Sequence, residues 1–236
     1  MPPDRSPGRR RPPRRGPGRP PGPTAQSAAT RAALYRTAVA LFAEQGFEAT
    51  TLRQIARRAA VSPALVYRYF PSKRALVLAL YDVLSADFAE RTRELPAGRW
   101  RDRFRHALDE SLAVLAPHRA TLAALVPVLV GGEQSLFAPG SAFSRERVER
   151  AFVAAVVGAT DAPRGAFAGA LGRLLYLVHL ALLFWWLLDR SKGQRATTAL
   201  VAVTVRALPP LALALRFGVV RDLLSGADAA AQEALA

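Results

Sequence analysis

The chain has 236 residues, enough for one large domain or for a small one joined to a larger one, and 51% of it is hydrophobic, enough for a substantial core. Cysteine is absent, which excludes a disulfide framework, thiolate catalysis and cysteine-held metals. The formal charge of +15 rests almost wholly on arginine, since Lys73 and Lys192 are the only lysines among 33 basic residues, and so basic a chain favours polyanionic partners.

The first 24 residues carry seven arginines against Asp4, a net of +6, set among prolines and glycines. With almost no apolar residues this stretch cannot bury a core, so 1–26 is expected to be a disordered basic tail. No apolar run follows the arginines, which speaks against a secretory signal. Gly18-Arg19-Pro20 resembles the core of the AT-hook, a minor-groove-binding peptide. A solvated tail drawn to phosphates without specificity is the other reading of the same residues.

From residue 27 the pattern is helical. Leu34, Ala38, Leu41 and Phe42 recur at steps of three and four, and Gly46 suits a left-handed cap at the end of that helix. Thr51 and Gln54 have the spacing of a capping box and open a second helix with Leu52, Ile55, Ala56 and Ala59 on its inner face. Ser62 can cap a third helix, Pro63 suits its first turn, and Val66 and Phe70 face inward. Pro71-Ser72 then break the chain before a longer helix through Leu76, Leu80, Leu84 and Phe88 that ends near Pro96. A short helix, a tight turn and another short helix form the geometry that lays one helix in the DNA major groove.

These residues carry a family resemblance. Leu34, Ala38, Leu41-Phe42, Gly46-Phe47, Thr50-Thr51-Leu52, Ile55-Ala56, Val61-Ser62, Val66-Tyr67, Tyr69-Phe70 and Lys73 together resemble the DNA-binding domain of the tetracycline-repressor (TetR) family of bacterial regulators. Position 60, usually glycine in that family's turn, is Ala60 here, and a left-handed alanine costs about 1 kcal/mol. The resemblance implies that Thr51 and Arg53 face phosphates, and that Ser62, Tyr67, Tyr69 and Lys73 anchor phosphates and fix register without reading sequence. It places Pro63, Ala64, Leu65 and Arg68 on the groove side. Of these only Arg68 can make two hydrogen bonds to one base, best to guanine, while the other three offer apolar contact such as to a thymine methyl.

Beyond residue 97 the pattern predicts helices over 100–117, 120–130, 143–157, 163–189, 195–208 and 211–224, with no strand alternation and no repeat. Gly131-Gly132-Glu133 lacks the lysine of a nucleotide-binding loop and reads as a turn. Residues 174–188 are apolar nearly all round, but a run of 15 bounded by Arg173 and Asp189 is short for a membrane span. A helix of this kind is buried on every side, shared between a core and a partner chain or within the core alone. In the resembled family, the last long helices pair across a two-fold axis, which here points to 163–189 and 195–208. His106, Asp109 and Glu110 share a helical face, without a third distant ligand to make a metal site, and read as a salt-bridged face. No catalytic constellation can be located among three histidines.

The expected fold is therefore all-α. A tail at 1–26 precedes a helix-turn-helix domain at 27–72, a connecting helix at 73–96 and a larger ligand-binding and dimerisation domain at 97–236. The expected function is a ligand-responsive, cytoplasmic DNA-binding regulator rather than an enzyme. By family resemblance it is a repressor, homodimeric on a palindromic site in double-stranded DNA, without cofactor, metal or membrane. An unknown small, largely apolar effector is expected among Trp100, Phe104, Leu122, Leu125, Tyr176, Phe184 and Trp185, with His179 read either as a satisfied core histidine or as the effector's polar anchor. The alternative is an architectural DNA-binding protein dominated by its basic tail.

Overall fold

The computed structural model describes residues 25–130 and 139–235, and every regular element among them is helical. The basic tail with Gly18-Arg19-Pro20 and the Gly131-Gly132-Glu133 turn lie outside the described residues; Ala25 and Gln26 belong to the first helix. The elements are α1 (Ala25–Gln45), α2 (Leu52–Arg58), α3 (Pro63–Tyr69), α4 (Lys73–Arg91), α5 (Trp100–Leu115), α6 (Arg119–Val130), α7 (Ala142–Val157), α8 (Phe167–Leu188), α9 (Arg195–Ala214) and α10 (Gly218–Leu235).

The first three helices are bounded by short-range chemistry. α1 buries Leu34, Ala38, Leu41 and Phe42 on one stripe. It stops at Gly46, whose φ is +84° and whose N–H donates to the Phe42 carbonyl at 3.0 Å. The Thr51 hydroxyl accepts from the Gln54 N–H at 3.1 Å, and the Gln54 side chain accepts from the Thr51 N–H at 2.7 Å, so the capping box is complete. α2 ends in a paired closure: the Val61 N–H donates to the Ala56 carbonyl at 3.0 Å and the Ala60 N–H to the Arg57 carbonyl at 3.2 Å. This pairing requires a left-handed residue, and Ala60 supplies it at φ 54°. Ser62 caps α3 by accepting from the Leu65 N–H at 3.3 Å, and Ser72 caps α4 by accepting from the Ala75 N–H at 3.2 Å.

Phe42, Ile55, Val66 and Phe70 close a small core over which the first half of α4 lays Leu76, Val77 and Leu80. The second half of α4 packs on α5 and α7, where Phe88 stacks on Phe152 with ring centroids 5.8 Å apart. α7 and α8 approach closely at Gly172, where a Cβ would lie 2.6 Å from the Val153 Cα; only glycine permits that spacing. Arg119 at the start of α6 holds the end of α8 by donating to the carbonyls of Trp186 at 2.8 Å and Asp189 at 2.6 Å. α6 also touches α1, where the Thr121 hydroxyl donates to the Val39 carbonyl at 3.2 Å. Asp189 holds the corner between α8 and α9 by accepting from the Thr197 hydroxyl at 2.6 Å and from the Ser191 N–H at 2.8 Å. These bonds keep its carboxyl well below the usual carboxylate range.

Several boundaries differ from the sequence pattern, among them the end of α4, at Arg91 rather than near Pro96. α8 begins at Phe167 rather than 163, because Gly165 at φ +68° turns the chain first. α9 runs through Pro209 and Pro210 to Ala214, where the pattern breaks a helix. Both prolines are exposed, so water can satisfy the Val205 and Arg206 carbonyls that lose their donors. α10 starts at Gly218 and continues past 224 to Leu235, tied to α8 by Asp228, which accepts from Arg173 at 2.6 and 2.9 Å.

The turn at residue 60 yields a stability prediction. Left-handed alanine costs about 1–2 kcal/mol, and glycine gives back about 0.5–1 kcal/mol through its freer unfolded chain. Ala60→Gly should therefore raise the urea-unfolding free energy by about 0.5–1 kcal/mol. A lowered midpoint would show that the alanine methyl is worth more than the backbone relief.

Candidate functional site

The outer face of α2 and α3 is built from side chains the core does not use. Thr51, Arg53, Ser62, Pro63, Ala64, Tyr67 and Arg68 are exposed, while Leu65, Tyr69 and Lys73 are half-buried at its edge. Tyr67 is 50% exposed although it adjoins the fully buried Val66, so its ring stands outward on a helix anchored from beneath. Among the described residues no carboxylate pairs with Arg53, Arg57 or Arg68, whereas the neighbouring Arg58 is held by Glu44 through two short hydrogen bonds. The surface thus combines unneutralised guanidinium groups with hydroxyls, the chemistry of phosphate and base-edge contacts. Arg57 was not singled out in the sequence, although two arginines in the last turn of α2 carried the signal.

Two of the expected anchors already have partners. The Lys73 ammonium donates to the Phe47 carbonyl at 2.8 Å and lies 4.2 Å from the centre of the Phe47 ring. It therefore ties the loop after α1 to the first turn of α4. The Tyr69 hydroxyl donates to the Ser27 hydroxyl at 3.1 Å and joins the end of α3 to the start of α1. Both groups hold the α2–α3 unit in place from behind its exposed face.

The second feature is a cavity of about 130 Å³ among α4, α5, α6, α7 and α8. Of the residues expected there, Leu122, Tyr176, His179 and Phe184 lie in its wall. The other four do not. Trp100, Phe104 and Leu125 are spent inside the surrounding core, and Trp185 is 49% exposed on the outside of α8. Trp186 enters the wall instead: in a helix apolar on every side, the sequence carries no phase to choose between two adjacent tryptophans. α4 supplies Tyr81, Leu84, Ser85 and Phe88; of these the sequence pattern marks Leu84 and Phe88 as helix positions and does not single out Tyr81 or Ser85. Their spacing of three, four and seven, with a serine and a tyrosine inside an apolar stripe, was the available signal.

His179 is the polar centre of the wall. It is 1% exposed, its ring lies 4.5 Å from Phe152, and its Nε2 is 2.8 Å from the Ser111 hydroxyl. Burial pushes its pKa down to about 3, so the ring is neutral at physiological pH. His106, Asp109 and Glu110 do not converge on a metal: Asp109 pairs with Arg105 at 3.2 Å and Glu110 with Arg91 at 3.5 Å.

The third feature is unpartnered apolar surface. α8 and the stretch Lys192–Ala214 are both long and apolar enough to cross a bilayer, by length and composition alone. α8 is 44% buried within the protein over its most apolar window, as a core helix would be. The corresponding window of the second is only 11% buried, and Val203, Leu213, Phe217 and Leu223 are exposed together with Leu188 of α8.

Residues 34–80 match the family model of bacterial regulatory proteins, tetR family. Among curated proteins, the chain is 41% identical over 85 residues to an HTH-type transcriptional repressor of Mycobacterium tuberculosis, a match that covers 36% of this chain and 44% of that protein. The chain thus spans less than half the length of that relative. Among solved structures it is similar to a tetR-family transcriptional regulator from Streptomyces coelicolor, with a TM-score of 0.59 and 21% identity over 86% of this chain and 89% of that one. It is likewise similar to GusR of Salmonella enterica, with a TM-score of 0.60 and 23% identity over 78% of this chain and 95% of that one. Both share the fold.

The buried histidine predicts an acid dependence. In the folded protein His179 stays neutral down to about pH 3, whereas the unfolded chain takes up its proton below the ordinary value of 6.5. Stability should therefore fall as pH drops through 6.5, by about 2 kcal/mol between pH 7 and pH 5 from this group alone. Urea unfolding of wild type and His179→Phe at the two pH values checks this: the variant should lose less on acidification, and equal losses would contradict it.

Proposed function

We propose that this chain, which belongs to the TetR family of bacterial regulatory proteins, is a cytoplasmic transcriptional repressor that binds a palindromic operator as a homodimer and leaves it when a small, largely apolar effector occupies the cavity. The observation that carries the reading is the exposed Arg68 on α3, without a carboxylate partner among the described residues, beside Tyr67 and the similarly placed Arg53 and Arg57 of α2. In this reading 27–72 reads DNA, 73–96 connects, and 97–236 holds the effector cavity and the dimer face. Thr51, Arg53, Ser62, Tyr67, Tyr69 and Lys73 position the phosphate backbone, and Pro63, Ala64, Leu65 and Arg68 face the major groove.

The dimer follows from two considerations. One recognition helix reads too few base pairs for specificity, so two must act about one helical turn apart or slightly more. The exposed apolar surface of α9, α10 and the end of α8 supplies a face for a second copy of the chain. Effector coupling follows from α4, which lines the cavity with Tyr81, Leu84, Ser85 and Phe88 and begins at Lys73 behind the DNA-facing surface. A 100-fold preference of the effector for the DNA-incompetent state corresponds to about 2.7 kcal/mol of coupling.

Selection of bound fragments from a random duplex library tests the reading. A repressor enriches one inverted repeat, and sedimentation on that DNA gives two protomers per site. Binding that follows salt but not sequence would favour an architectural protein built around the basic charge. On the enriched site, Arg68→Ala should relax preference at one base pair per half-site, about 1–3 kcal/mol each. Tyr67→Phe should weaken all sequences alike. Uniform loss from Arg68→Ala would place a different face of α3 in the groove.

A further inference from the structure

We infer that the effector is an uncharged, mostly apolar molecule bearing a hydrogen-bond acceptor, such as a carbonyl or ether oxygen, that sits against Tyr81 and His179. The inference rests on the effector-cavity reading above and specifies its chemistry. Two neutral buried polar atoms in the cavity wall have no hydrogen-bond partner among the described residues, the Tyr81 hydroxyl and the His179 Nδ1; one guanidinium nitrogen of Arg145 in the same wall also makes no hydrogen bond, but that side chain has a partner of its own. Tyr81 and His179 are 8% and 1% exposed, so bulk water does not serve them. A buried polar group without a partner costs about 1–3 kcal/mol, which makes two on one apolar wall a feature that needs an occupant.

Both orphans are donors. The Tyr81 hydroxyl carries its proton, because burial raises its pKa well above the usual phenol range. For His179 the tautomer decides, and Ser111 decides the tautomer. The Ser111 hydroxyl has no partner among the described residues other than His179 Nε2, at 2.8 Å. If the serine donates to Nε2, its proton is satisfied and the ring proton sits on Nδ1, leaving one orphan donor. If Nε2 donates instead, the serine proton and the Nδ1 lone pair are both orphaned. The first arrangement leaves fewer unmet groups and is preferred. An acceptor on the effector can complete at least one of these donors, while an apolar molecule completes neither.

Charge is disfavoured on either side. His179 is neutral and enclosed by Phe88, Phe152 and Tyr176. Arg145 also lines the wall, but it has a partner of its own within the protein, and Glu149, one helical turn along α7, interacts with it electrostatically. The remaining wall is mainly leucine, valine and aromatic carbon, which does not solvate an ion.

The test uses four probes of one size: acetophenone, ethylbenzene, benzoate and 1-phenylethylammonium, titrated calorimetrically into the full-length protein. Acetophenone should bind at least ten-fold more tightly than either ion. At least one of Tyr81→Phe and His179→Phe should weaken acetophenone about five-fold while leaving ethylbenzene unchanged or tighter. Tyr81→Phe preserves ring shape, and the wild-type series needs no variant, so a poorly folded His179→Phe does not remove the test. Either ion binding as tightly as the ketone, or both variants changing the two neutral probes equally, would overturn the inference and leave the cavity reading standing. Failure of both neutral probes to bind would overturn the cavity reading and the inference with it.

Discussion

α4 is the constraint on which the two halves of the molecule depend. Its first turn is fixed by the Ser72 cap and by Lys73, whose ammonium reaches back to the Phe47 carbonyl. Its next turns bury Leu76, Val77 and Leu80 in the small core beneath α2 and α3. Its last turns place Leu84 and Phe88 against the cavity and the aromatic cluster around His179. One hydrogen-bonded helix of 19 residues therefore belongs to both cores. Close-packed cores resist gradual deformation, so in the proposed function a change at the cavity end shifts the whole helix rather than being absorbed along it. α6 adds a second contact between the halves through Thr121 and Val39, and its Leu122 lies in the same wall.

The N-terminal half was legible because its chemistry is local. A capping box, a glycine cap, a serine cap with proline behind it and a stripe at helical spacing each act within about four residues, and each appears in the structure where its residues stand. Ala60 is instructive: the sequence departs from the pattern of the family it resembles at a position where glycine is favoured, yet the backbone stays left-handed. The paired closure on Ala56 and Arg57, together with Val61 packed against the core, outweighs the alanine penalty.

The C-terminal half was legible as helices and not as faces. α8 is apolar on all sides, so nothing in its sequence separates Trp185, which is exposed, from Trp186, which reaches the cavity. Trp100, Phe104 and Leu125 are large and apolar like true lining residues, but tertiary packing spends them in the core. The prolines of α9 broke the pattern without breaking the helix, because the prolines themselves face solvent. What a long-range fold does with an apolar residue is decided by partners distant in the chain, and a periodic pattern does not encode them. The exposed apolar rows on α9 and α10 show the same limit from outside, since nothing within the described residues covers them.

Coupling between two sites is reciprocal, so the role of α4 can be tested without an effector. Amide hydrogen exchange of the protein, free and bound to its selected duplex, is the most direct measurement. If α4 joins the two cores, DNA binding should slow exchange in α2 and α3, then continuously along α4 to Phe88 and into the cavity-lining segments of α5 and α8. Protection that stops at the first turn of α4, with exchange around Ser111 and His179 unchanged, would contradict the account.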